Sequence, residues 1–85
     1  MNEITQEVVV NITEEETIIE LSQLTQKYHS EIYLKKIVGG SVLEISLKSF
    51  LGLITLQLQN GDHLTVRVIG EDSKEAIDEV VRFLS

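Results

Sequence analysis

Among the 85 residues there is no cysteine, no proline and no tryptophan. The first absence excludes disulfides and thiol chemistry, and it is compatible with a cytosolic setting. No apolar run approaches the roughly 20 residues needed to span a bilayer. The opening Met1-Asn2-Glu3-Ile4-Thr5 lacks the basic and apolar regions of a signal peptide, so a cytoplasmic protein is expected. Basic residues are scarce, seven against fourteen acidic ones, for a net charge of −7. Phosphate backbones repel such a surface, so neither direct nucleic-acid binding nor membrane insertion is expected, and a protein partner or small ligand remains. Only His29 and His63 carry imidazoles, and neither belongs to a ligand set at metal-binding spacing. Both read as surface residues, and no metal or cofactor is expected. Glycine-rich phosphate loops, catalytic triads and nucleophile elbows are also missing, so an enzyme is not expected.

What is present is a small-domain pattern. The hydrophobic content of 42% suits one globular domain spanning residues 1–85. Glu7 to Ile12 reads as a strand with Val8, Val10 and Ile12 on one face. Thr13-Glu14-Glu15-Glu16 fits a capping box, with Thr13 as N-cap, Glu16 reaching back and three carboxylates at the positive end of the helix dipole. The helix so opened runs to about Tyr28, with Ile18, Leu21 and Thr25 inward. Glu31 to Val38 is a second strand, Gly39-Gly40 a hairpin turn and Ser41 to Leu47 a third strand. A short helix from Ser49 to about Leu56 follows. The turn Asn60-Gly61-Asp62 leads into a fourth strand, His63 to Ile69, with Leu64, Val66 and Val68 inward. Asp72 or Ser73 caps a last helix striped with Ala76, Ile77, Val80, Val81 and Leu84.

The order β-α-β-β-α-β-α predicts a two-layer α+β sandwich, a four-stranded antiparallel sheet with three helices on one face and the other face open. A ferredoxin-like domain shares part of that order and is the competing fold. Ser49 follows a strand and opens a helix, where a hydroxyl caps a free backbone N–H. The helix after it is too short to bury every apolar side chain it carries, so some of Phe50, Leu51 and Ile54 should be exposed and available for contact.

The run Leu47-Lys48-Ser49-Phe50-Leu51-Gly52-Leu53-Ile54-Thr55-Leu56 closely resembles the segment around the regulatory serine of HPr, the histidine-containing phosphocarrier of the bacterial sugar phosphotransferase system. Order and length resemble the family over almost the whole chain, and the extra short helix before the fourth strand favours it over the ferredoxin-like alternative. Residue-level likeness is concentrated in 46–59. The resemblance implies that Ser49 is phosphorylated by a dedicated ATP-dependent kinase, HPr kinase. It also implies that Lys48, Phe50, Leu51 and Ile54 lie on the partner-binding face.

A second implication fails. The family carries a Gly-[Ile/Leu]-His-Ala-Arg-Pro stretch between the first strand and helix, where the histidine accepts phosphate. Counting back from Lys27-Tyr28-His29-Ser30-Glu31, that stretch falls on Ile12 to Thr17, with Glu14 for the histidine, Glu16 for the arginine and Thr17 for the proline. Residues 1–28 contain no histidine at all. Three carboxylates would repel a phosphoryl donor, so the relay is expected to be absent. Whether Glu14 to Glu16 mimic a phosphohistidine or simply cap the helix is open. The chain thus resembles the catabolite-repression HPr-like class, whose partner is a transcriptional regulator. A scaffold or inhibitor with the same architecture and no serine switch is the alternative. The hairpin at Gly39-Gly40 looks a few residues longer than the family's.

Overall fold

Strands that alternate apolar and polar residues must bury one face, and here the helices do the covering. The computed structural model describes residues 2–13 and 18–85. Its order is β1 (Glu3–Val9), α1 (Ile18–Gln26), β2 (Glu31–Val38), β3 (Ser41–Ser46), α2 (Phe50–Leu56), β4 (His63–Ile69) and α3 (Ser73–Leu84). The strands form a single sheet in the order β1-β4-β2-β3, antiparallel throughout. This is the α+β open-faced sandwich expected from the alternation.

Register sets the core. Val8 stands opposite Leu64, and Leu34 lies between Val66 and Ile45. These side chains join Leu21 of α1, Leu53 and Leu56 of α2, and Ala76, Ile77, Val80 and Leu84 of α3 in one core. Gly39 and Gly40 take φ of +55° and +83°, the left-handed pair that closes the β2–β3 hairpin. Lys36 fastens the far end of α2. Its ammonium lies 2.8 Å from an Asp62 carboxylate oxygen and donates to the carbonyls of Leu56 and Gln57 at 3.4 and 3.2 Å.

The first strand differs from its expected span, starting at Glu3 and ending at Val9 instead of running from Glu7 to Ile12. Beyond Val9 the partner is a turn. The Val10 N–H donates to the Asp62 carbonyl at 2.9 Å, and its own carbonyl accepts from Gly61 at 2.8 Å. The Asn60 side chain then accepts from the Ile12 N–H and donates to its carbonyl. Val10 therefore remains buried although the ladder has ended. The first helix closes at Gln26, and the Tyr28 N–H bonds back to Thr25. Glu14, Glu15, Glu16 and Thr17, the expected capping box and altered relay position, lie outside the described residues.

Candidate functional site

Leu47 is fully buried at the end of β3, and the chain turns outward immediately after it. The Ser49 N–H donates to the Ser46 carbonyl at 3.0 Å, which sets Ser49 in extended geometry at the N-cap of α2. Its hydroxyl oxygen accepts from the Gly52 N–H at 3.1 Å, while the Ser49 carbonyl accepts from Leu53. The residue is exposed. Glycine at 52 lets the helix lie close to β3. A Cβ there would come 3.1 Å from the Ile45 Cβ, an atom fixed to the strand backbone.

The seven residues of α2 divide by face. Leu53 and Leu56 enter the core, whereas Phe50, Leu51 and Ile54 are 43%, 76% and 48% exposed. Three large apolar side chains thus sit partly in solvent within about one and a half turns of an exposed hydroxyl. Ile19 on α1 is likewise exposed, and its sequence context singled it out for neither face.

Lys48 does not simply project into water. Its ammonium donates to the Tyr28 carbonyl at 3.2 Å, just past the end of α1. The Tyr28 hydroxyl in turn donates to Glu79 of α3 at 2.5 Å, and Lys27 pairs with the same carboxylate at 2.7 Å. That hydrogen bond to Glu79, aided by burial and nearby carboxylates, pushes the Tyr28 phenol up to about 12. Lys27 first, then Tyr28, holds the Glu79 carboxyl below its ordinary value. Asp72 occupies the N-cap position of α3, but its side chain makes no cap bond. It accepts instead from the N–H groups of His29 and Ser30 at 2.9 Å and from the Ser30 hydroxyl. The Ser30 hydroxyl and the backbone donors lower the Asp72 carboxyl. These long-range ties leave no local signature in the sequence.

His29 and His63 are both exposed. Among the described residues no group of histidines and carboxylates could hold a metal ion, and every buried side-chain nitrogen or oxygen has a partner. No helix of the described residues is long and apolar enough to cross a membrane. A hollow of about 370 Å³ lies on the open sheet face, bordered by Val9, Ile37, Val42 and His63, with Lys35 and Glu7 on its rim. Glu7, Lys35, His63 and Thr65 line it, but the run around Ser49 is the segment that carries the family likeness, so the exposed serine with its apolar neighbours is the better candidate.

Comparison with known proteins places these features. Residues 6–85 match the family described as the PTS HPr component phosphorylation site. Phosphocarrier protein HPr of Mycoplasma pneumoniae is 33% identical over 54 residues, which is 64% of this chain. The match spans 58% of that relative's length. Among solved structures, HPr from Bacillus anthracis superposes with a TM-score of 0.83 at 20% identity, covering 98% of each chain. The Bacillus subtilis catabolite repression protein Crh, reported as a domain-swapped dimer, gives 0.69 at 22% identity over 91% of this chain and 83% of its own.

Proposed function

Because this chain belongs to the HPr family of the phosphotransferase system, we propose that it is a regulatory protein-binding module that does not relay phosphate through histidine. The observation that carries this reading is the exposed Ser49 hydroxyl beside the exposed Phe50, Leu51 and Ile54, in a chain with no histidine before residue 29. In this reading HPr kinase transfers the γ-phosphoryl of ATP to Ser49 Oγ, the hydroxyl loses its proton and ADP departs. The product carries about −1.5 to −2 extra charge beside the apolar trio. A cytoplasmic transcriptional regulator or phosphotransferase component then reads anion and apolar surface together, with Lys48 at the edge of the contact. No cofactor takes part, and the protein acts by binding and not as an enzyme.

Incubation with HPr kinase and ATP, followed by intact-mass measurement, tests the switch. A gain of one phosphoryl group that disappears in Ser49→Ala is the expected result. No gain, or a gain that survives Ser49→Ala, would sink it. One observation favours the alternative scaffold or inhibitor without a serine switch: the Ser49 hydroxyl is already employed as the cap on Gly52. The lost relay has its own test. Glu14→His with Glu16→Arg should remain unphosphorylated by the phosphotransferase donor if the docking face has diverged as well. Efficient phosphorylation of that double variant would show that only the acceptor had changed.

A further inference from the structure

The carboxyl end of α1 has no basic residue in its own last turn. A helix terminus of that kind exposes carbonyls with partial negative charge, which a cation stabilises. An ammonium from elsewhere in the chain serves not a helical carbonyl but one two residues past Gln26. Lys48 reaches back 20 residues and donates to the Tyr28 carbonyl. Lys27 lies closer in sequence, but its ammonium is committed to Glu79. The segment from Lys27 to Ser30 is therefore tied down from two directions. Glu79 and Asp72 of the α3 region hold Tyr28, His29 and Ser30, and Lys48 holds the Tyr28 carbonyl from the start of α2.

The two sides differ in how they respond to charge. Asp72 and Glu79 belong to another part of the helical layer, whereas Lys48 is bonded covalently to Ser49. A phosphate is a stronger partner for an ammonium than a neutral carbonyl, because it adds a charge–charge attraction to the hydrogen bond.

We propose that Lys48 is a latch between the Ser49 site and the turn that follows α1: a phosphate on Ser49 draws the Lys48 ammonium off the Tyr28 carbonyl and loosens the Thr25–Tyr28 turn. The inference rests on phosphorylation of Ser49 for its trigger, but the latch itself exists in the unmodified protein. Lys48 is a positioning residue here, acting through Tyr28. The Tyr28 hydroxyl bond to Glu79 stays in place, so the loosening is confined to the backbone between Thr25 and Tyr28.

Amide hydrogen exchange resolved by NMR tests this on the full chain, with phosphoserine installed at position 49 by nonsense suppression so that no kinase is required. In the unmodified protein Lys48→Gln should speed exchange at Thr25 to Tyr28 by about two- to fivefold, the range expected for losing a cation just past a helix terminus. Lys48→Arg should restore near-native rates, and the amides of β2 should not change. Phosphoserine at 49 should produce the same local acceleration, and adding Lys48→Gln to it should give no further effect. Unchanged exchange in Lys48→Gln would overturn the latch. So would a phosphoserine effect of equal size with and without Lys48. A chain that HPr kinase leaves unmodified would count against the serine switch alone, because both latch measurements are made without the kinase.

Discussion

Ser49 serves the fold before it serves any partner. Its hydroxyl satisfies one of the free N–H groups at the start of α2, a helix too short to be stable without its cap and its two buried leucines. Ser49→Ala should therefore cost about 1 kcal/mol, within the usual 0.5–2 for a lost cap, while Ser49→Asp should stay near the parent. Urea unfolding of the three proteins checks this. Equal losses for Ala and Asp would mean that the hydroxyl contributes something other than a cap. The comparison also guards the phosphorylation test, because an alanine that unfolds α2 would abolish modification for the wrong reason. Gly52 constrains the same element from the other side. A methyl there would gain helix propensity but would press on the Ile45 Cβ at 3.1 Å, so strand or helix would have to give by a few tenths of an ångström.

The turn between α1 and β2 is where the elements are bound to one another, and its ties titrate. Asp72 and Glu79 are held below their ordinary carboxylate values, by the Ser30 hydroxyl and by Lys27 respectively as the leading causes. A depressed carboxyl stabilises the fold above its unfolded value, about 3.9 for Asp and 4.3 for Glu, and the gain is lost as pH falls through the folded value. Tyr28 acts at the other limit. Its phenol is raised to about 12, so its contribution is complete below the unfolded value of about 10 and fades as pH rises between the two. Stability should be flat from about pH 5 to 9 and fall on either side. Glu79→Gln should bring the Tyr28 ionisation back toward 10 in an ultraviolet titration and soften the acid limb of the urea midpoint. An unshifted Tyr28 would show that Glu79 is not its partner in solution.

None of these ties was readable in the chain itself, although the elements they join were. β2 and β4 run from Glu31 to Val38 and from His63 to Ile69 as their alternation predicts, because a two-residue period is local. The opening of β1 was not legible. Gln6 stands opposite the buried Val66 yet is exposed, so Glu3 to Gln6 carries no alternation to follow. The N-cap at Ser49 was legible because a cap reaches three residues. Lys48 to Tyr28, Tyr28 to Glu79 and Ser30 to Asp72 span 20, 51 and 42 residues, and only the folded chain sets those distances.

On the scale of the whole molecule the question is which electrostatic effect prevails. Arg67 braces the open face. It pairs with Glu3 on one edge strand at 3.1 Å and with Glu44 on the other at 3.2 Å, and lies over the Tyr33 ring of β2 at 4.6 Å. One side chain thus contacts all three other strands. Together with Lys27–Glu79 and the half-buried Lys36–Asp62, these pairs favour the fold, although the more exposed of them are worth only about 0–1 kcal/mol each. Against them stands a net charge of −7 on a body measuring 32 × 30 × 21 Å. At 0.01 M salt the screening length is about 30 Å, so every carboxylate feels every other across the molecule. At 0.1 M it is about 10 Å, shorter than the molecular width but longer than the ion-pair contacts. Added salt therefore removes most of the repulsion and little of the pairing. The urea midpoint should rise as sodium chloride goes from 10 to 100 mM, and Glu7→Gln with Glu71→Gln, both exposed, should flatten that rise. A midpoint that falls with salt would mean that the local pairs, with Arg67 at their centre, outweigh the acidic surplus.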